Sequence, residues 1–359
     1  MWIRAVGVLV LVGIFSLGPT FANEGAASLL SKGRAAFKKA NYDDAERYHR
    51  QAVDVTERSG DADRFAEALG DLGGVLLAKG NYDEPRRLCQ KALGILRNTG
   101  TKRYLPVVLN NLSALAGLDG DYDQSEQYLK ESLQVVQELD PHDPYISRAL
   151  NNLGFLYYTT QKNGAAEKAF KKAIAFVEKE SGRDSVALAP ILSNLGGLYV
   201  FKKKWGAAAP LFDRALLLLR NSVASNPLDL AGVLDNVGTM HYQRKDFSEA
   251  ESAFRRAYAI RFEVFGSKHP AVARAALNLA ATLTATRHYS EAEGLYSGAL
   301  EIYEKARGAS APEVASTLEE MADLFRKTNR EEDARELDER AKFIRFEREH
   351  VVRAWQLRE

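Results

Sequence analysis

The sequence has 359 residues, of which 46% are hydrophobic and 27% charged, and its 49 Lys and Arg almost balance 48 Asp and Glu. This composition is typical of a folded chain, and the charge balance leaves no excess of cations for nucleic-acid binding as a main task. The single cysteine, Cys89, and six scattered histidines exclude a disulfide framework and a multi-cysteine zinc module. We therefore expect no metal site and no cofactor.

Residues 1–22 have the pattern of an export signal. Arg4 precedes an uncharged apolar run over residues 5–17, and Thr20-Phe21-Ala22 places small residues three before and one before a cut at Asn23. A helix of that length spans about 20 Å, short of the roughly 30 Å hydrocarbon core. We predict a signal peptide over residues 1–22, and an exported chain, periplasmic in a bacterium or extracellular, with no integral membrane span after cleavage. The alternative is an uncleaved segment that anchors the chain in a membrane.

The remainder of the sequence repeats with a period of about 42 residues. A column of small residues recurs at steps of 40 to 42: Gly33, Gly73, Ser113, Gly154, Gly196, Gly238, Ala280 and Ala322. Twelve residues after each of them stands a second column: Ala45, Pro85, Ser125, Ala166, Ala208, Ala250, Ala292 and Ala334. A third follows seven residues later: Ala52, Ala92, Ser132, Ala173, Ala215, Ala257, Ala299 and Ala341. Eight copies in one register indicate one structural unit written eight times.

Each unit predicts a helix, a tight turn and a second helix. In the fourth unit, Leu150, Leu153 and Gly154 recur at i, i+3 and i+4, and Ala166 and Phe170 repeat the spacing farther on. A Gly or Ala where two helices cross lets their backbones approach closely. One such pair is too small to bury its own apolar face, so each pair must stack on the next.

These columns resemble the tetratricopeptide repeat (TPR) family, in its 42-residue variety found in kinesin light chains and many bacterial proteins. The linkers at residues 266–273 and 308–315 fit the same pattern, with Pro270 and Pro312 opening the next helix. The resemblance covers residues 26–345 and implies an all-α fold, a right-handed superhelical solenoid of about eight helix-turn-helix repeats over residues 23–345. Residues 346–359 place Val and Trp355 between Arg and Glu at helical spacing, which predicts a C-terminal capping helix.

A column of asparagines provides the first candidate binding residues. It comprises Asn111, Asn152, Asn194, Asn236 and Asn278, each two residues before the small column. The resemblance implies that this flank lines a concave groove and that the asparagines hydrogen-bond the backbone of an extended peptide. An amide both donates and accepts, so it can pair with any peptide bond, and Asn is a poor helix former whose recurrence needs a reason. The alternative is that these side chains cap or cross-link neighbouring helices.

Further candidates on the same flank are aromatic or Arg side chains, the usual anchors of protein interfaces. They are Arg148, Tyr158, Tyr242 and Arg274. Their alternative interpretation is ordinary surface or packing between repeats.

The sequence lacks the common motifs of enzyme active sites. It contains no phosphate-cradling glycine loop, no Gly-x-Ser-x-Gly elbow and no His-Glu-x-x-His pair, so we expect no catalytic residues. The resemblance implies a non-enzymatic scaffold that binds a peptide segment of a partner protein in its groove. Two alternatives stay open, a cell-envelope assembly scaffold that self-associates and a peptide-sensing regulator.

Overall fold

The structure, a computed structural model, describes residues 24–222 and 226–356. This part of the chain forms sixteen α-helices and no strand, so the predicted all-α fold is confirmed. The helices are α1 (Glu24–Lys38), α2 (Tyr42–Ser59), α3 (Ala62–Ala78), α4 (Asp83–Thr99), α5 (Leu105–Asp119), α6 (Tyr122–Leu139), α7 (Tyr145–Thr159), α8 (Asn163–Ser181), α9 (Leu188–Phe201), α10 (Trp205–Arg220), α11 (Pro227–Arg244), α12 (Phe247–Phe265), α13 (Pro270–Ala285), α14 (Tyr289–Arg307), α15 (Pro312–Lys327) and α16 (Glu331–Gln356). We call the odd-numbered helices A helices and the even-numbered ones B helices.

The chain divides into two compact units, and the boundary lies inside α11, between Asn236 and Val237. Within each unit an A helix packs on its own B helix, and each pair stacks on the next, as the predicted TPR solenoid requires. Residues 346–356 continue α16 without a break and do not form a helix of their own. The predicted signal peptide, residues 1–22, lies outside the described residues.

The small column of the A helices faces large side chains of the B helices. A Cβ atom built on Gly154 would lie 2.6 Å from the ring of Phe170, and one built on Gly238 would lie 2.7 Å from the ring of Phe254. Both rings are fully buried, with at most 1% of their surface exposed. The two helices can therefore pack at this distance only because the A helix carries no side chain there.

In the first repeats other side chains occupy the large position. The imidazole of His49 fills the space beside Gly33, and the thiol of Cys89 fills the space beside Gly73. Burial raises the pKa of the Cys89 thiol to about 12, so it is an inert core group. In the third repeat the Oγ atoms of Ser113 and Ser125 hydrogen-bond at 2.8 Å, which satisfies two hydroxyls inside the core.

Each turn from an A helix to its B helix contains one residue in the left-handed conformation. These residues have φ between 56° and 86° and stand seven places after the small column: Ala40, Gly80, Gly120, Gln161, Lys203, Lys245, Arg287 and Asn329. Only two of the eight are glycine, although a side chain at such φ is unfavourable. The geometry of the helix pair therefore overrides local preference at the other six turns.

Candidate functional site

Apart from the buried Asn111, the candidate binding residues lie on the surface formed by neighbouring A helices, which we call the A-helix face. In the N-terminal unit the asparagine side chains join consecutive A helices by hydrogen bonds. Nδ2 of Asn152 donates to Oδ1 of Asn110 at 2.6 Å, and Nδ2 of Asn194 donates to Oδ1 of Asn151 at 3.0 Å. Nδ2 of Asn236 donates to the main-chain oxygen and Oγ of Ser193 at 3.2 and 2.8 Å. These amides therefore cross-link the repeats, as the structural alternative proposes.

Asn111 is the first member of this ladder, and it differs from the others in its burial. Its side chain is fully buried, and Nδ2 donates to the main-chain oxygen of Gly70 at 2.9 Å. A ligand on the surface does not reach a fully buried amide. The structure therefore corrects the sequence interpretation for Asn111, which belongs to the packing between α3 and α5.

The later asparagines keep hydrogen-bonding capacity. Asn152 and Asn194 are half-buried, and within the described residues no group donates to their Oδ1 atoms. Because one N–H of each amide is fixed on the preceding A helix, the free carbonyl oxygen has a set orientation. Neighbouring A helices thus carry oriented acceptors at the same position of successive repeats.

Arg148 lies one helical turn before Asn152 on the same stripe of α7, and Phe155 lies one turn after it. Arg148 is half-buried and makes no ion pair with any residue that the structure describes. Farther along the stripe, the rings of Tyr158 on α7 and Phe201 on α9 meet edge to face with centroids 5.7 Å apart. Phe201 remains 38% exposed, so this aromatic pair presents an apolar edge to solvent.

Asp229, at the start of α11, comes close to Arg148, although the two residues are far apart in the sequence. Burial raises the pKa of Asp229 to about 6, and the Arg148 cation lowers it in part. The side chains of Tyr42 and Asn226 hydrogen-bond each other beside this carboxyl. Three distant segments of the N-terminal unit therefore converge near Arg148.

A buried cluster of charges in the first two repeats is paired internally. Arg34 on α1 pairs with Glu67 at 2.6 Å and with Asp71 at 2.8 Å, both on α3. Both carboxylates are almost fully buried. In the second repeat, Asp71 stands at the position that Asn occupies in the next five repeats. Its carboxylate is already paired with Arg34.

In the C-terminal unit the predicted residues are half-buried on two A helices. Asn278 and Arg274 lie on α13. Burial raises the pKa of Tyr303 on α14, and the nearby Arg274 cation offsets part of that rise. Tyr242, near the end of α11, meets Phe247 edge to face with ring centroids 5.4 Å apart. Each of these side chains is therefore only partly accessible from solvent.

Glu320 on α15 stands two residues before the last member of the small column, in the position that Asn occupies in five earlier repeats. Burial first, and then the charges of Asp323 and Glu319, raise its pKa to about 7. Among the described residues, none forms a hydrogen bond or an ion pair with its carboxyl. Glu320 is thus a half-buried acid without a counter-charge.

Sequence reasoning missed three groups near these positions. Asp71 and Glu320 were detectable, because extending the asparagine column by one repeat in each direction arrives at both. Asp229 had no such signal, since only the packing of α11 brings it towards Arg148.

Within residues 24–222 and 226–356 no three His, Cys, Asp or Glu side chains cluster as metal ligands would. No helix in the same ranges combines the length and apolar character of a membrane span.

Comparisons with known proteins place these features in a family. Among solved structures, the Rap protein complexed with Competence and Sporulation Factor is similar with a TM-score of 0.59 and 13% identity, over 90% of this chain and 98% of that one. BtubC (BKLC) from P. vanneervenii is similar with 20% identity and a TM-score of 0.47, over 67% of this chain and 93% of that one. A Podosopora anserina kinesin light chain protein with nearly identical TPR-like repeats has 18% identity and a TM-score of 0.46, over 56% of this chain and 96% of that one.

No curated protein matches the sequence. The family model described as Tetratricopeptide repeat matches residues 25–98, 64–138, 104–179, 145–221, 229–305 and 289–342. These matches cover nearly all of the sequence in which the eight helix pairs lie. The chain therefore belongs to the tetratricopeptide repeat family.

Proposed function

We propose that this chain is a non-enzymatic scaffold that binds an extended segment of a partner protein on the A-helix face of its N-terminal unit. The observation that carries the proposal is the row of half-buried amides of Asn152, Asn194 and Asn236, each held by the preceding A helix. For Asn152 and Asn194 the unused Oδ1 can accept a hydrogen bond from a main-chain N–H of the partner. Pre-orientation lowers the cost of ordering these side chains on binding.

The amides alone do not bind a segment firmly. Each hydrogen bond contributes about 0.5 to 1.5 kcal/mol net, whereas association costs on the order of 4 to 15 kcal/mol. Side-chain anchoring must therefore supply the difference. Arg148 lies near Asp229 but makes no direct ion pair with it, and it offers two parallel N–H donors to a carboxylate. The edge of Tyr158 and Phe201 offers apolar contact.

The C-terminal unit contributes a second set of candidates, Tyr242, Arg274 and Asn278, to the same proposal. Tyr242 keeps part of its ring accessible beside Phe247, and Arg274 and Asn278 share one helix. These three residues combine an aromatic, a cation and an amide, which are the same three chemical types as in the N-terminal unit. We propose that they bind a further part of the partner.

Export is part of the proposal, and it rests on the sequence of residues 1–22. A chain so delivered acts in a bacterial periplasm or outside the cell, or at a membrane if the segment is retained. The Rap protein of similar fold is complexed with a factor in its own structure. That likeness concerns the fold, so the partner of this chain is inferred from its own residues.

A pull-down from envelope extract with the chain beginning at Asn23, followed by mass spectrometry and calorimetry on the captured protein, tests the proposal. We expect the double variant Arg148→Ala, Tyr158→Ala to weaken binding at least tenfold, because it removes both anchors of the A-helix face. The control variant Arg87→Ala, Tyr122→Ala removes an exposed Arg and Tyr away from this face. Equal affinity of both variants would place the partner elsewhere. Capture of the chain by itself alone would favour the self-associating scaffold.

A further inference from the structure

The outer surface of the fourth and fifth repeats carries a local excess of positive charge. Within residues 161–220 nine exposed side chains are cationic, and only two, Asp184 and Asp213, are acidic. The whole chain has a formal net charge of only +1. Most of the excess lies on α8 and on the turn between α9 and α10, whereas the exposed Arg220 and Asp213 of α10 balance each other. We call the exposed side chains of α8, of α10 and of this turn the basic face.

The cations of the basic face are adjacent in space. Lys168, Lys171 and Lys172 lie on the exposed side of α8, where a shallow open groove also exposes Gly164 and Ala175. The turn at 202–204 joins them, because Glu167 accepts hydrogen bonds from Nζ of Lys171 and Nζ of Lys202, each at 2.8 Å. One carboxylate thus holds the two positive segments side by side.

Four lysines of this face have no counter-charge. The side chains of Lys168 and Lys172 on α8 and of Lys203 and Lys204 on the turn form no ion pair or hydrogen bond with any residue in the described ranges. On α12, by contrast, the cation of Arg255 pairs with both Glu251 and Glu291. Unpaired like charges so close together repel one another, and an anionic surface would remove that repulsion.

We propose that the basic face docks on an anionic phospholipid bilayer. Lysine ammonium groups act as point charges on long stems and suit a fluid layer of headgroups, whereas paired recognition of one phosphate favours Arg. No exposed side chain of α8 or α10 is aromatic, so this face lacks the platform on which nucleic-acid bases stack. Leu217, which is 57% exposed on α10, adds an apolar contact with the interfacial region of the bilayer.

This docking is separate from partner binding on the A-helix face. It leaves the side of α7 and α9 that carries Arg148 and Phe201 open to a partner while the B helices meet the bilayer. An export signal at residues 1–22 would bring the chain to a membrane during its synthesis, in agreement with this role.

Co-sedimentation with vesicles tests the proposal. The full chain and the chain beginning at Asn23, which keeps every helix described above, are mixed with vesicles of phosphatidylcholine containing about one third phosphatidylglycerol. We expect binding that weakens as salt rises and little binding of the chain from Asn23 to pure phosphatidylcholine. Changing Lys168, Lys172, Lys203 and Lys204 to Gln should lower the affinity at least 30-fold, since each lysine near an anionic surface contributes roughly fivefold.

The control variant changes Lys32, Lys38, Lys39 and Lys268 to Gln, which are also exposed lysines without ion pairs in the described part of the chain. Its net charge falls by the same amount, yet we expect less than a threefold loss. Equal losses in the two variants would show that net charge alone drives binding, and would overturn the proposal. Tighter binding to single-stranded RNA or to polyglutamate than to vesicles, lost in the first variant only, would also overturn it. Arg148→Ala should leave vesicle binding unchanged, which separates this test from that of the proposed function.

Discussion

In the proposed function, Asn152 and Asn194 each use one amide in two ways. One N–H holds the preceding repeat, as in the 3.0 Å bond from Asn194 to Asn151, and the carbonyl oxygen stays open to a partner. A substitution at this column therefore changes the stability of the fold as well as binding. Loss of binding in an asparagine variant is informative only when its stability is measured beside it.

We expect Asn194→Ala to lower the free energy of unfolding by about 0.5 to 1.5 kcal/mol, because Oδ1 of Asn151 loses its donor and Ala regains only part of this through helix propensity. Asn98→Ala, on the exposed side of α4, is the matched control. It should be neutral or slightly stabilising. Urea denaturation of both variants measures these differences. A free energy of unfolding of Asn194→Ala equal to that of the parent chain would mean that the inter-helix hydrogen bond contributes nothing to stability.

The turns provide a second test at this scale. Gln161 has φ of 60° and lacks the conformational freedom of glycine, so Gln161→Gly should raise the free energy of unfolding by about 1 kcal/mol. Gly120 occupies the same place in the third repeat with φ of 86°. Gly120→Ala should lower the free energy of unfolding by a similar amount. Thermal melts of the two variants that move in the same direction would contradict the assigned turn geometry.

Sequence reasoning at the residue scale found the asparagine column but not its bonds. The repeat period tells which side chains share a position, and it does not tell which group each one meets on the neighbouring helix. Asn152 is half-buried and Asn111 is fully buried, although both stand at the same position of the repeat. For the same reason the approach of Asp229 to Arg148 had no signal in the sequence.

Helix pairs set the stability of each repeat, through the contact between the small column and the large side chain opposite. Gly154→Ala would place a methyl group 2.6 Å from the ring of Phe170, so we expect a loss of about 1 to 3 kcal/mol from overpacking. Gly94→Ala, in α4, meets no atom within 4 Å and should gain up to about 1 kcal/mol. Guanidinium denaturation that ranks the two variants in reverse order would contradict this packing.

At the element scale most of the fold could be predicted. The columns mark buried contacts, and buried contacts define which residues belong to each helix pair. The continuity of α16 could not be predicted, because Arg and Glu at helical spacing fit one long helix as well as two. The unit boundary inside α11 also had no marker, since the columns pass through Asn236 and Gly238 unchanged.

At the scale of the whole molecule, two titratable groups with shifted pKa values, Glu320 and His49, make stability depend on pH. The folded pKa of Glu320 is about 7 and its ordinary value is 4.5, so the folded state holds more protons between these values. The contribution of this group to stability therefore falls as pH rises from about 4.5 to 7.

His49 acts in the opposite direction at lower pH, because burial, with help from the Arg34 cation, lowers its pKa to about 3. Below pH 6.5 His49 takes up a proton in the unfolded state but stays neutral in the folded state. The free energy of unfolding therefore decreases as pH falls from 6.5 towards 3.

We expect Glu320→Gln to be more stable than the parent chain by about 1 to 3 kcal/mol at pH 8 and nearly equal to it at pH 4.5. The control Glu263→Gln removes an exposed carboxyl of α12 and should shift stability equally little at both pH values. Urea melts of the three proteins at the two pH values provide the comparison. A constant difference between Glu320→Gln and the parent would show that this carboxyl titrates normally.

The central claim, that a partner lies on the A-helix face, is tested most directly by photo-crosslinking, which works before the partner has been identified. A photoreactive phenylalanine analogue is placed at Phe201, beside Tyr158, and separately at Tyr122, which is 40% exposed at the start of α6. After irradiation in envelope extract, we expect a discrete crosslinked partner from position 201 and none from position 122. A partner captured only from position 122, with position 201 silent in a chain that still binds, would contradict the claim.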